Sequence, residues 1–215
     1  MISLVTPSCA AAVDSFVSRM TSLYREEELM LANACRRRRC EFITARWCID
    51  RAFDNFGMSR SVLTYGEKGR PIWPTGFVGS ITHCRGYVAA VIASSISVQL
   101  IGIDAEPAVS LPPGVLSLIS SEVERQRLEK LFKNMPEIAW DRLLFCAKEA
   151  LYKAWPVAVD GRAPSFLNAS VILAVDNGFS AEILDMNYGP MVLHGRWALY
   201  RNYFIVCVFN LTEAQ

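Results

Sequence analysis

Glu106-Pro-Ala-Val-Ser-Leu-Pro-Pro-Gly114 stands almost at the midpoint of the 215-residue chain, between two stretches that read alike. Its prolines and glycine exclude a helix or a central strand, so it reads as a connector. On its N-terminal side, residues 10–34 and 36–56 read as helices, the second stopping at Gly57. A Gly- and Pro-rich loop over 66–79 follows, then strands over 87–93 and 98–104 joined by Ser94-Ser-Ile-Ser97. On its C-terminal side, residues 117–134 and 137–155 read as helices, the second bracketed by Pro136 and Pro156. Residues 169–175, 179–184, 191–200 and 203–211 are β-rich, with turns at Asp176-Asn-Gly178 and Arg201-Asn202. Helices followed by antiparallel strands, twice over, predict an α+β fold. A doubly wound parallel sheet would need strands alternating with helices. Length leaves one domain or two small ones open, and a break at the connector permits two similar halves, 1–107 and 108–215.

Composition bounds the function class. Of the residues, 52% are apolar and 20% charged, which describes a well-cored globular chain that needs no disulfide or metal to fold. The 22 basic and 21 acidic residues leave a net charge of +1, spread evenly over both halves. That balance argues against nucleic-acid binding through a broad basic face. Apolar runs such as residues 88–93 are far too short to span a membrane. Residues 1–20 lack a basic leader and are interrupted by Asp14, which argues against a secretory signal. Seven cysteines, irregularly spaced and without a CxxC pair, suit reduced thiols in a cytoplasmic protein and disfavour a zinc site.

Several segments carry possible chemistry. In Ile101-Gly-Ile-Asp-Ala-Glu-Pro107, Asp104 and Glu106 are two apart and project to one side of a strand end. Crowded carboxylates repel unless a cation or a shared proton relieves them, and hard oxygen ligands suit Mg²⁺ or Mn²⁺. The alternative is a strand terminus with two solvated acids. In Phe145-Cys-Ala-Lys-Glu-Ala-Leu-Tyr-Lys-Ala-Trp155, an apolar helical stripe faces the core, Lys148 aligns with Tyr152, and Glu149 aligns with Lys153. That last pair is also compatible with an ordinary surface ion pair, although Glu149 shares a stripe with Cys146 at the edge of the buried face. Arg36-Arg-Arg-Arg39 and Arg46 form a basic group on a helix that can hold phosphate, or simply a solvated face; Arg46 falls on a largely buried stripe. Gly69-Arg-Pro-Ile-Trp-Pro-Thr-Gly-Phe-Val-Gly-Ser-Ile-Thr-His83 brings glycines for close approach to a ligand and donors at Ser80, Thr82 and His83.

In order and spacing, Gly102-Ile-Asp-Ala-Glu106 and the Lys148-Glu149…Lys153 helix resemble the signatures of the Sfp/EntD-type 4′-phosphopantetheinyl transferases. Trp73-Pro and Gly79-Ser-Ile-Thr-His-Cys-Arg-Gly-Tyr87 resemble the subgroup of enterobactin-synthase component D. The resemblance implies a pseudo-two-fold pair of similar α+β half-domains with the active site at their interface. It implies that a serine of an acyl or peptidyl carrier protein attacks the β-phosphate of coenzyme A, releasing 3′,5′-ADP. Asp104, Glu106 and Glu149 would hold Mg²⁺, with Glu149 also a candidate base. Lys153 and Lys148 would neutralise the pyrophosphate, Ser80, Thr82 and His83 would bind the nucleotide, and Arg38 and Arg46 the 3′-phosphate. Where some relatives have a basic residue this chain has Tyr65, so Lys68 or Arg70 would take over that contact. A monomer is expected, with an apolar carrier-docking groove near the first helix of the second half. From the residues alone, another Mg²⁺-dependent phosphoryl or nucleotidyl enzyme, or a non-catalytic coenzyme A- or carrier-binding module, remains open.

Overall fold

The computed structural model describes residues 1–66, 69–155, 165–184 and 191–212. A three-stranded antiparallel sheet, in the order β1-β3-β2, comprises β1 (Ala10–Ser15), β2 (Phe77–Cys84) and β3 (Tyr87–Ser94). A five-stranded antiparallel sheet, in the order β4-β8-β7-β6-β5, comprises β4 (Val98–Pro107), β5 (Ala169–Leu173), β6 (Gly178–Ile183), β7 (Met191–Tyr200) and β8 (Tyr203–Leu211). The helices are α1 (Arg25–Met30), α2 (Arg36–Asp54), α3 (Val115–Ile119), α4 (Glu122–Asn134) and α5 (Trp140–Ala154).

Alternation along the strands builds four layers. Val88, Ala90 and Ile92 of β3 pack under Ala45, Ile49 and Phe53 of α2. The intervening Ala89, Val91 and Ala93 meet Ile101, Ile103 and Ala105 of β4 and Ile205 and Cys207 of β8 in a core between the sheets. The opposite face of the larger sheet, with Val171, Phe179, Leu193 and Phe204, takes Leu143, Leu144, Ala147 and Leu151 of α5. β3 is covered on both sides, which is why it reads as a continuous apolar run. Each sheet thus carries one long helix on its outer face, an α+β fold as expected from sequence, with β4 (Val98–Pro107) in the same sheet as the C-terminal strands.

Four local expectations are corrected. Residues 10–34 are not one helix: Ala10–Ser15 is a strand paired with β3, because tertiary pairing overrides the high helix propensity of alanine. The 66–79 loop gives way to β2 at Phe77. The strands flanking Ser94-Ser-Ile-Ser97 do not form a hairpin; the chain crosses there to the other sheet, and β4 pairs along its length with β8. The 117–134 helix is two helices, broken at Ser120 and Ser121. Ser121 caps α4 by accepting the Glu124 amide at 3.2 Å, while Glu124 Oε2 accepts the Ser121 amide at 2.8 Å.

β2 and β4 are sheet edges that adjoin without a backbone ladder. Ser80 Oγ accepts the Ile103 amide at 3.0 Å and Thr82 Oγ1 accepts the Ala105 amide at 3.2 Å. Side-chain hydroxyls thereby satisfy edge amides that would otherwise be exposed. This seam positions the site.

Candidate active site

Period-two alternation puts Ile101, Ile103 and Ala105 into the core between sheets and leaves Gly102, Asp104 and Glu106 to face α5. A Cβ on Gly102 would stand 2.0 Å from the Ala150 carbonyl oxygen and 2.7 Å from the Ala154 amide. Only glycine lets the last turns of α5 lie on β4, and that approach delivers Glu149 and Lys153 to Asp104.

Asp104 is 5% exposed. Its Oδ1 accepts Lys153 Nζ at 2.6 Å and Thr82 Oγ1 at 3.0 Å, and Lys153 Nζ also donates to Thr82 Oγ1 at 3.1 Å. Its Oδ2 is buried and has no partner among the described residues. Burial, then the Asp104 charge, pushes the carboxyls of Glu149 and Glu106 above the ordinary range, against the pull of Lys153. Glu106 is drawn to Arg142 Nη1 at 3.4 Å. Burial first, and then Asp104 beside it, likewise pushes the Cys146 thiol well up.

Among the described residues, no three His, Cys, Asp or Glu side chains stand ready around one point to hold a metal. Asp104, Glu106 and Glu149 feel one another's charge, but Lys153 and Arg142 occupy two of them. The donor set still fits a hard cation: it is all oxygen, mutually repulsive and includes an unpartnered buried carboxylate oxygen.

Lys153 and Glu149 line a cavity of about 830 Å³ between the two half-domains. α2 contributes Arg38, Glu41, Phe42 and Arg46; the following loop contributes Tyr65, Arg70 and Trp73; β2 contributes Ser80 and His83. Gly79 is needed where Trp73 lies on β2, since a Cβ there would be 2.7 Å from the indole. Arg38 Nη1 donates to His83 Nε2 at 2.8 Å, and a guanidinium cannot accept, so His83 is neutral with its proton on Nδ1. Burial, then the Arg38 charge, holds the His83 pKa below its usual value.

Most sequence-selected residues meet here, but several have other work. Lys148 is 3% exposed and does not line the cavity. Its Nζ donates to Glu124 Oε2 at 2.9 Å and to the carbonyls of Phe166 and Ala169 at 2.9 and 3.1 Å. It is a buried tie between α5, α4 and β5, which corrects its assignment to the pyrophosphate. Thr82 is likewise committed to β4, Asp104 and Lys153 and lies outside the cavity wall. Arg70 lines the cavity, but its Nη2 donates to the Tyr152 carbonyl at 3.0 Å and its Nη1 to the Trp155 carbonyl, so it caps the C-terminus of α5. Glu149 and Lys153 are no isolated surface pair, because Lys153 bonds to Asp104. Lys68 and the Pro156-Val-Ala-Val-Asp-Gly-Arg162 segment lie outside the described residues.

Residues 100–208 match the family described as the 4′-phosphopantetheinyl transferase superfamily, and residues 25–93 match its N-terminal domain. The chain belongs to the 4′-phosphopantetheinyl transferase superfamily. It is 38% identical over 210 residues to the 4′-phosphopantetheinyl transferase Svp of Streptomyces mobaraensis, covering 92% of this chain and 84% of the relative. It is 39% identical over 194 residues to the 4′-phosphopantetheinyl transferase PptT of Mycobacterium tuberculosis, covering 85% and 84%. Against enterobactin synthase component D of Salmonella typhimurium it is 35% identical over 176 residues, covering 76% and 70%. Members of the superfamily use coenzyme A and act on carrier proteins, and this chain is an enzyme of that type. The two family matches divide between β3 and β4, where the chain changes sheets.

Sequence reasoning missed Arg142 and Glu27 of this phosphopantetheinyl transferase. Arg142 was accessible to it: Arg142, Cys146, Glu149 and Lys153 follow at helical spacings of four, three and four, on one stripe. Glu27 sits in the 10–34 stretch misread as a single helix, and nothing local marks it as buried.

Proposed function

We propose that this enzyme moves the 4′-phosphopantetheine group of coenzyme A onto the serine of an acyl or peptidyl carrier protein, with a divalent cation, releasing 3′,5′-ADP. The carrying observation is the buried, unpartnered Oδ2 of Asp104, set beside Glu149 and Glu106 and next to Lys153 on the cavity wall. Asp104, Glu106 and Glu149 would hold Mg²⁺, with Mn²⁺ equally suited to the oxygen donors. Bound there, the cation would supply charge neutralisation at the pyrophosphate.

In-line displacement at phosphorus is catalysed chiefly by positioning and charge. Arg38, His83 and Arg46 line the end of the cavity suited to the phosphates of the nucleotide, and Tyr65 and Trp73 offer apolar walls. Ser80 Oγ, already accepting from Ile103, retains a hydroxyl proton to donate. Lys153 balances charge on the departing phosphate. Glu149, its carboxyl raised by burial, takes the serine proton. Exposed Leu118 of α3 and Val123 of α4 supply an apolar surface for the carrier. A monomer is expected of a site built within one chain, and seven free thiols suit a reducing cytoplasm. Among the described residues, no helix is long and apolar enough to cross a membrane.

The test incubates the enzyme with an apo carrier protein, coenzyme A and Mg²⁺ and weighs the carrier by mass spectrometry. Addition of phosphopantetheine is expected, with loss of transfer in Asp104→Ala and Glu149→Ala at preserved circular dichroism. Failure on fatty-acid, polyketide and peptide carriers alike would refute the reading.

A further inference from the structure

Behind the cavity wall lies a buried ionic cluster of which the transfer chemistry uses only Arg46. Glu27 of α1 and Arg46 of α2 are both 0% exposed. Glu27 Oε1 accepts Arg46 Nε at 2.8 Å, Arg60 Nη1 at 2.8 Å and the Leu63 amide at 3.3 Å, while Oε2 accepts the Tyr24 amide at 3.1 Å. Arg46 Nη2 donates to the Leu63 carbonyl at 3.0 Å, and Arg60 Nε donates to Asp50. The Arg46 guanidinium lies 4.0 Å from the Phe42 ring centroid and 5.7 Å from that of Tyr65. Its plane is therefore fixed along two edges and against two aromatic faces.

One nitrogen escapes this satisfaction. Arg46 Nη1 is buried and has no partner among the described residues, and Arg46 is part of the cavity wall beside Arg38. A buried donor without an acceptor is costly, and this one belongs to a residue that lines the cavity. Two arginines against Glu27 and Asp50 sum to no net charge, so the cluster works by aiming a donor more than by attracting anions from afar. Without the Glu27 carboxylate, Arg46 loses its Nε anchor, and two guanidinium groups are left facing each other with a single acid nearby.

We infer that Glu27 is a positioning residue: it sets the Arg46 guanidinium so that Nη1 meets the 3′-phosphate of coenzyme A. The inference rests on the reading of Arg46 as a ligand of that phosphate. A shell that fixes a guanidinium's plane is what separates a specific bidentate or directional phosphate contact from a diffuse charge.

The full-length enzyme is assayed with coenzyme A and with 3′-dephospho-coenzyme A as donors. Glu27→Gln is expected to raise KM for coenzyme A about tenfold, the loss of one charge-assisted hydrogen bond. KM for the dephospho donor and kcat with either donor should stay within about twofold of the parent. A Glu27 that only stabilises the fold would lower apparent kcat with both donors and leave the ratio of KM values unchanged, and that result overturns the inference. Glu27→Asp keeps the charge but shortens its reach; it should shift the ratio in the same direction, and it decides the matter if Glu27→Gln does not fold. Arg46→Met separates the two levels. Equal effects on both donors would overturn the phosphate reading and the inference with it. Discrimination lost in Arg46→Met but intact in both Glu27 variants would overturn the role of Glu27 alone.

Discussion

Replacing Lys148 by methionine separates a structural lysine from a catalytic one. The substitution keeps a long apolar stem and removes the ammonium that joins Glu124 to the Phe166 and Ala169 carbonyls. Glu124 would then be a 1% exposed carboxylate that retains only its amide donors, Ser121 and Val171. Removing one partner of a buried ion pair typically costs about 3–5 kcal/mol, because the remaining charge is uncompensated. At roughly 2–4 °C per kcal/mol for a domain of this size, Tm should fall by about 6–20 °C. Denaturant titration measures the loss, and steady-state transfer well below the new Tm measures turnover, which should remain within about twofold of the parent. Glu124→Gln combined with Lys148→Met should recover much of the stability, since no isolated charge then remains. A Lys148→Met protein as stable as the parent but with turnover reduced a hundredfold would refute the argument and return Lys148 to the pyrophosphate.

Three further perturbations examine the seam between the half-domains. Gly102→Ala should cost about 3 kcal/mol in chemical denaturation and slow transfer, because the new methyl would force α5 off β4; stability within about 0.5 kcal/mol of the parent would contradict the close approach. Arg70→Ala should cost about 1–3 kcal/mol through loss of its two carbonyl contacts at the end of α5; unchanged stability with a tenfold rise in KM for coenzyme A would make Arg70 a nucleotide ligand instead. The His83 pKa, held low by burial and Arg38, should rise when coenzyme A binds, since a nearby phosphate favours the imidazolium. By linkage, protonation of His83 as pH falls should then tighten binding. NMR titration of the imidazole with and without ligand reads this directly, and an unmoved pKa would place the phosphates elsewhere.

The strands of the second half were legible because their periodicity is local and strong: residues 191–200 and 203–211 coincide with β7 and β8. The acids of β4 and the lysine of α5 could be picked out by spacing, since Asp104 and Glu106 share a strand face and Glu149 and Lys153 a helix stripe. What spacing cannot encode is which of two neighbouring lysines turns inward. Lys148 and Lys153 differ in role because α4 and β5 approach one side of α5 and β4 the other. Ala10–Ser15 was illegible for a related reason: its alanines favour a helix, and only β3, more than seventy residues away, makes them a strand. The sheet change after β3 was hidden because Ser94-Ser-Ile-Ser97 suits a hairpin turn as well as a crossing.

β4 finds its hydrogen-bonding partner late. Val98 pairs with Leu211 and Pro107 with Tyr203, so the strand bearing Asp104 and Glu106 is completed by a segment made about 100 residues afterwards. On a ribosome, β1, β2, β3 and α2 can be complete while β4 still lacks β8. The α2 and β2 walls of the cavity can therefore form before the β4 acids are placed. A nascent or nicked chain lacking β8 would leave β4 as a bare edge and its carboxylates unplaced. On the proposed roles of Asp104 and Glu106, half-made enzyme is expected to be inactive in transfer until the larger sheet is complete.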